Sequence, residues 1–315
     1  MSVLCLSSHS QFAGKYKFTV VKGSGVIVRE TEWIDNIITN QGLDQIGNPT
    51  VYNTSFGFKY INTHCGVGTG SATPTVADTT LQSPLAMYPT SAGANVEGGS
   101  ISYVSGTPSY YSCVWTYTFA AGSATGNLTE VGVGGTLNGD TTPRLFSRAL
   151  ILDGTGNPTT LTVLSDEQLI VTYELRLYID TTDNTYSFFI NSTSYSGTYR
   201  RADVSTAPSL YYGMVSNQVY MQACSGTIAA ITSHPSGGDS SNSYSEISQT
   251  NTYVNGTYYN DFRRSFTTTD ANFNINSLYT FSPHGRWQFS LSPYIPKTGS
   301  LSMQLNWRQS WSRYP

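Results

Sequence analysis

Tyr110-Tyr-Ser-Cys-Val-Trp-Thr-Tyr-Thr-Phe119 and Gln168-Leu-Ile-Val-Thr-Tyr-Glu-Leu-Arg-Leu-Tyr178 decide the class of fold. In the first, Tyr111, Cys113, Trp115, Tyr117 and Phe119 occupy every second position. In the second, Leu169, Val171, Tyr173, Leu175 and Leu177 do the same. Successive side chains of a strand point to opposite faces, so a period of two gathers each set on one face, whereas a helix would scatter them round its axis. Both runs read as core strands, and residues 110–180 as the clearest hydrophobic core.

The neighbouring sequence extends this pattern in both directions. Lys15-Tyr-Lys-Phe-Thr-Val-Val-Lys22 alternates, Gly23-Ser-Gly25 supplies a turn, and Val26-Ile-Val-Arg-Glu-Thr-Glu-Trp33 resumes the extended run, a β-hairpin. Ile34, Ile37, Ile38, Leu43 and Ile46 fall near a helical stripe and predict one short helix over 34–46, with Gly42 against it. Residues 56–67 read as a strand with Phe56, Phe58, Tyr60 and His64 on one face. Gly66-Val-Gly-Thr-Gly70-Ser-Ala-Thr-Pro74 reads as a loop, and 79–85 as a turn anchored by Leu81 and Leu85. Thr129-Glu-Val-Gly-Val-Gly134 reads as a strand edge with close backbone approach at its glycines. Leu145-Phe-Ser-Arg-Ala-Leu-Ile-Leu152 is a largely apolar run stopped by Asp153-Gly154. Near the end, Arg286-Trp-Gln-Phe-Ser-Leu291 alternates, the stretch from Pro293 to Pro296 interrupts it, and residues 300–311 alternate again.

Composition agrees with strands. The 315 residues include 23 Tyr and 29 Gly, and only 11% are charged, against roughly 25% in an average soluble domain. The aromatic content excludes a fully disordered chain. Sixteen Lys and Arg with a net charge of −3 leave no basic footprint for nucleic acid. A monomer kept soluble by its own surface carries more charge than this, so the hydroxyl- and amide-rich composition suits faces covered by neighbours or exposed to proteases outside a cell. Cys5, Cys65, Cys113 and Cys224 stand far apart with no CxxC pair; they read as buried thiols, with the three possible pairings left open. The opening MSVLCLSSHSQ lacks the basic segment and long apolar run of a secretory signal, and no stretch approaches the roughly 20 apolar residues of a membrane span.

Beyond residue 182 the texture changes to Ser, Thr, Asn and Tyr, and residues 233–245 approach low complexity, an exposed loop. The expected architecture is therefore all-β, with an antiparallel β-sandwich-like main domain over 1–182 plus 286–315 and one short N-terminal helix. A second β-rich lobe, or a large insertion, is expected over 183–285.

Four stretches resemble structural proteins of tailed bacteriophages, of the tail, baseplate or tail-fibre-associated kind. They are Asn36-Ile-Ile-Thr-Asn-Gln-Gly-Leu-Asp-Gln-Ile46 and Cys65-Gly-Val-Gly-Thr-Gly-Ser-Ala-Thr-Pro-Thr-Val-Ala-Asp-Thr-Thr-Leu81, then Leu145-Phe-Ser-Arg-Ala-Leu-Ile-Leu152 with residues 160–178, and finally Tyr294-Ile-Pro-Lys-Thr298 through Trp311-Ser-Arg313. The resemblance covers residues 33–180 and 286–315, and leaves 183–283 outside it. It implies a virion component assembled in several copies; the absence of a secretory signal adds the expectation that it is made in the host bacterial cytoplasm. The implied partners are copies of itself and other virion proteins, with neither nucleic acid nor membrane insertion. A capsid decoration or head-fibre protein is the nearest alternative; a receptor-binding module for host surface glycans is another.

No enzyme, catalytic residue, metal site or cofactor is expected. His9, His64, His234 and His284 form no HxH or HxxxH pair. Asp140, Asp153, Asp166, Glu167, Asp180 and Asp183 cluster at expected turns, where carboxylates satisfy local amides. Gly66-Val-Gly-Thr-Gly70 superficially resembles a phosphate loop but lacks the Lys and the following long helix. The Asn-x-Ser/Thr sequons at Asn53, Asn127, Asn191 and Asn255 are matches expected in an Asn- and Thr-rich chain. Tyrosine offers area, a hydroxyl and a low entropy cost, so Tyr211, Tyr212, Tyr258 and Tyr259 are the candidate contacts for a glycan or an adjoining protein.

Overall fold

A computed structural model describes residues 4–47, 62–88, 98–136, 143–190, 192–206, 219–239 and 247–315. The chain is all-β, with one short helix among the described residues. Its elements open with β1 (Leu4–Lys22), β2 (Ile27–Glu30), β3 (Ile34–Asp35), β4 (Ile37–Ile38) and α1 (Asn40–Gly47). There follow β5 (His64–Gly68), β6 (Pro84–Tyr88), β7 (Gly98–Val104), β8 (Ser109–Phe119), β9 (Gly126–Leu128) and β10 (Glu130–Thr136). Next come β11 (Pro143–Leu150), β12 (Leu161–Val163), β13 (Glu167–Ile179), β14 (Asn184–Ile190) and β15 (Thr193–Ala202). The last are β16 (Tyr220–Cys224), β17 (Ile247–Gln249), β18 (Tyr259–Phe266), β19 (Asn274–Ser282), β20 (Gly285–Pro296) and β21 (Met303–Arg313).

The chain divides into two compact units. One takes residues 1–11, 103–111 and 177–312; the other takes 12–102, 112–176 and 313–315. Residues 286–312 thus group with 177–285.

The unit holding 12–102 is built on the two strongly alternating runs, which form β8 and β13. Tyr111, which belongs to the other unit, and Cys113, Trp115, Tyr117 and Phe119 of β8 are all buried, as are Leu169, Val171, Tyr173 and Leu175 of β13. β1 keeps the same period, with Phe12, Tyr16, Phe18 and Val20 buried. Its hairpin with β2 pairs Thr19 with Glu30, and Gly25 turns it at a φ of 82°, a conformation open to glycine. Tyr16 and Trp115 each lie against Tyr173, at centroid distances of 4.9 and 5.9 Å. Each buried ring of this kind contributes on the order of 2 kcal/mol. A second sheet in the unit runs β4-β11-β10-β5-β6, and β12 pairs with β9.

Several expectations for this region need correction. The helix is shorter than 34–46. Ile34, Ile37 and Ile38 lie on β3 and β4, which pair with β1 and β11, and only 40–47 wind. Thr39 sets the start, its Oγ1 accepting from Gly42 N at 2.9 Å as an N-cap does. Gly66–Gly68 are ladder residues of β5, so the loop begins at Thr69; their partners Val67 to Val131 and Gly66 to Gly132 come from 64 to 66 residues away and leave no local trace. β10 lies inside its sheet, paired with β5 and β11, rather than at an edge. The close approach at its glycines is real: a Cβ on Gly134 would collide with the carbonyl oxygen of Arg144. Leu81 is buried, but Leu85 is 42% exposed and anchors nothing. Phe56, Phe58 and Tyr60 lie outside the described residues.

The other unit carries a sheet in the order β14-β15-β20-β19-β16 and a ladder β17-β18-β21-β1. Phe262 pairs with Trp307 across β18 and β21. Trp287 packs on Trp307 at 5.8 Å. β20 continues through Pro293 to Pro296, because a register shift opposite 275–277 absorbs the prolines. Buried polar groups pair inside the unit: Trp307 Nε1 donates to Ser8 Oγ (2.8 Å) and Ser8 Oγ to Gln309 Oε1 (2.7 Å). Residues 233–239 are mostly exposed, but Asp239 is buried against Arg264 at 2.8 Å. No helix among the described residues is long and apolar enough to cross a membrane.

Candidate functional site

Three of the stretches quoted for the phage resemblance, 36–46, 65–81 and 145–152, come together with Arg313, the last residue of the fourth, in one hydrogen-bonded frame within the unit holding 12–102. Thr39 Oγ1 donates to Leu145 O (2.8 Å) and Thr39 N to Phe146 O (2.9 Å). Asn40 N donates to Val76 O (2.7 Å). From the far end of the chain, Arg313 donates through Nε to Ile38 O, and through Nη2 to Asn40 Oδ1 at 2.7 Å. Gly42 seats α1 directly on β11, since a Cβ there would strike the carbonyl of Phe146. Ser147 reaches the core through Tyr16, their hydroxyls 2.7 Å apart.

The centre of this frame is ionic. Glu130 is fully buried on β10, and Arg148, on β11, is 3% exposed. Arg148 donates through Nε and Nη2 to Glu130 Oε2 (2.9 and 2.8 Å), through Nη1 to Asp78 (2.7 Å), and through Nη2 to Ala72 O (3.1 Å). Glu130 also accepts from the backbone of Gly70, Gln82 and Ser83 at 3.1, 3.0 and 2.7 Å. Partial burial raises the Asp78 pKa, but hydrogen bonds from Thr75 and Arg148 outweigh it, so the net shift is downward. The glycine-rich segment 69–83 is therefore strapped to the sheet by the Glu130 carboxylate and by the Arg148 guanidinium, which also holds Asp78 of the segment. Its chemistry is scaffolding.

Beside it lies an apolar cavity of about 170 Å³, lined by Leu81, Met87, Val133 and Leu145 over Gly66 and Gly132. His64 lines it too, and burial pushes its pKa down.

The tyrosines expected to make contacts fare unequally. Tyr211 and Tyr212 lie outside the described residues. Tyr258 and Tyr259 are half-buried. Tyr258 turns the chain at a φ of 52°, and its carbonyl accepts from Trp311 N at 3.0 Å. Tyr259 lies under the guanidinium of Arg308, 3.8 Å from its ring centroid, so its face serves intramolecular stacking.

The remaining polar residues hold local structure. Asp153 accepts from Thr155 and Asn157, and Asp180 from Thr182 and Asn184, which makes both turn-formers. Glu167 is buried and paired with Arg29. His9 contacts Ser310 and Ser312, His234 contacts Asp203, and His284 is buried edge-on to Trp311. Cys65, Cys113 and Cys224 are buried thiols. Among the described residues no cluster of three or more His, Cys, Asp or Glu could hold a metal ion.

What the sequence reading missed is where the exposed apolar groups collect. Ile27 on β2 (58% exposed), Leu85 and Met87 on β6 (42% and 39%) and Phe189 on β14 (59%) all sit on strands with a partner on one side only among the described residues. Val26, 57% exposed, adjoins Ile27. Alternation marked β2 as a strand, but edge position depends on pairing that sequence spacing does not carry.

No protein-family model, curated protein or solved structure matches the chain.

Proposed function

We propose that this chain is a structural subunit of a bacteriophage particle, placed in the tail, baseplate or fibre-attachment region and acting by multi-copy assembly. The observation that carries the reading is the apolar exposure along three outer strands, β2, β6 and β14. An outer strand presents unpaired backbone donors and acceptors, and a chain that stays alone blunts it with charge or proline. β2 does carry Arg29 and Glu30 and β6 opens on Pro84, but Ile27, Leu85, Met87 and Phe189 leave apolar surface beside them, which neighbouring subunits would cover. The ionic frame around Glu130 and Arg148 supports the same reading, since it fixes loops rather than building a reactive centre.

Light scattering after size exclusion tests assembly, and peptide mass spectrometry of purified particles tests the location. The expected result is a defined oligomer that Ile27→Lys, Leu85→Lys and Phe189→Lys together convert to a folded monomer, with peptides of this chain in the particles. A wild-type monomer at all concentrations, or particles without the chain, would overturn the proposal.

A further inference from the structure

β14 ends the sheet β14-β15-β20-β19-β16 and, among the described residues, pairs on one side only. All of its residues, Asn184-Thr-Tyr-Ser-Phe-Phe-Ile190, lie in register with β15, from Asn184 against Tyr199 to Ile190 against Thr193. Only positions 191 and 192 separate the two strands. In so short a hairpin the closing pair is hydrogen-bonded, and bonded pairs recur at every second position. Ile190, Phe188, Tyr186 and Asn184 therefore turn their backbone groups toward β15. Phe189, Ser187 and Thr185 turn theirs outward.

Other edges are protected where β14 is not. At the far end of the same sheet the chain itself takes the outer side of β16: Asp239 N donates to Ala223 O (2.9 Å), and Cys224 bridges to Gly238. β2 is short and carries Arg29 and Glu30, and β6 opens on Pro84. Charge, proline and brevity are the devices that stop an edge from pairing with another chain. β14 has no charged residue, no proline and seven residues of length. The nearest charge, Asp183, precedes the strand and is paired with Arg200.

The side chains fall into two rows. Thr185, Ser187 and Phe189 are exposed on one face, and Tyr186, Phe188 and Ile190 are half-buried on the other. On the second face the Tyr186 and Phe188 rings stack at 5.9 Å, and Phe188 stacks on Tyr195 of β15 at 5.2 Å.

We infer that β14 pairs antiparallel with β14 of a second copy, across a twofold axis at Ser187. The inference rests on the assembly reading above and names the surface and the partner of one of its contacts. An antiparallel edge is self-complementary, as a twofold interface requires. Ser187 is the middle residue of the strand, so an axis there engages every outward-facing residue of both copies, and each facing pair exchanges two backbone bonds. Phe189 then faces Thr185 of the second copy. On the other face Phe188 meets Tyr186 of the second copy, which continues the ring stack from one chain into the next; aromatic pairs of this kind stabilise neighbouring strands. The strand is uncharged, so no like charges meet.

Ser187 is exposed and its backbone groups point away from β15, so replacing its side chain leaves the chain's own ladder intact. Ser187→Lys and Ser187→Glu each set two like charges face to face at the axis. Light scattering after size exclusion should show an even number of copies for the wild type, and at least a halving of that mass for each variant alone. Mixing the two variants should restore the wild-type mass, because opposite charges then face each other. An odd copy number, or variants that keep the wild-type mass, would overturn the β14 pairing and leave assembly through β2 and β6 standing. Halved masses that mixing does not restore would overturn the axis at Ser187. A wild-type monomer would overturn this inference and the assembly reading together. Should the variants fail to fold, hydrogen exchange of the wild type decides: the amides of Thr185, Ser187 and Phe189 should exchange faster on dilution, and exchange independent of concentration sinks the proposal.

Discussion

Arg148 and Glu130 lie diagonally across the β10–β11 ladder, their side chains 2.8 Å apart and both withdrawn from solvent. Gly132 is the residue directly opposite Arg148, so the guanidinium crosses a position without a side chain to reach its acid. The pair joins two stretches, 65–81 and 145–152, that the sequence separates by more than sixty residues.

Removing one partner should be far more damaging than removing both. Glu130→Gln leaves Arg148 buried with a diminished counter-charge and is expected to cost about 3–5 kcal/mol. Glu130→Leu combined with Arg148→Met should lose less than the sum of the single changes. Urea unfolding of Glu130→Leu, of Arg148→Met and of the double variant measures this, and additive losses would refute a coupled pair.

Gly42→Ala separates local preference from packing. Alanine is the better helix former by about 1 kcal/mol, and on propensity alone the change would stabilise α1. The Cβ would meet the carbonyl of Phe146, so a net loss of stability is expected. A rise in melting temperature would show that the helix does not seat on β11 in this way.

Burial, together with the nearby Arg201 and His9, holds His284 well below the ordinary histidine pKa. With the folded value depressed, its stabilising effect is complete above the unfolded value of about 6.5 and is lost as pH falls below it, when the unfolded chain binds a proton that the folded chain refuses. The slope from this group is at most about 1.4 kcal/mol per pH unit. Urea midpoints measured from pH 7 to 5 should fall for the wild type and fall less steeply for His284→Phe.

Burial also pushes the thiols of Cys113 and Cys224 up to about 12, and that of Cys65 upward as well. Since the thiolate is the reactive form, all three should resist iodoacetamide in the native chain and react in urea. Mapping the modified peptides by mass spectrometry checks each position; labelling of Cys65 in native protein would contradict its burial.

The elements legible in the sequence were those whose pattern is their own. β8, β13 and β1 alternate over many residues, and the structure buries the faces that alternation selects. The glycines of β5 misled, because a Gly-rich string reads as a loop unless its partner is known, and the partner β10 is itself glycine-rich. Ile34, Ile37 and Ile38 misled in the opposite sense, since two short strands can imitate a helical stripe.

Residues 8–10 of β1 are bonded to 309–312 of β21, about three hundred positions later in the chain. During synthesis the early strand therefore waits, one edge open, until the chain as far as β21 has left the ribosome. Loop closure on that scale is slow, and an open strand is prone to pair with the wrong partner. Yield in the cell should thus be limited by the interval before β21 arrives, and chains cut short of Met303 should aggregate rather than persist as half-built protein.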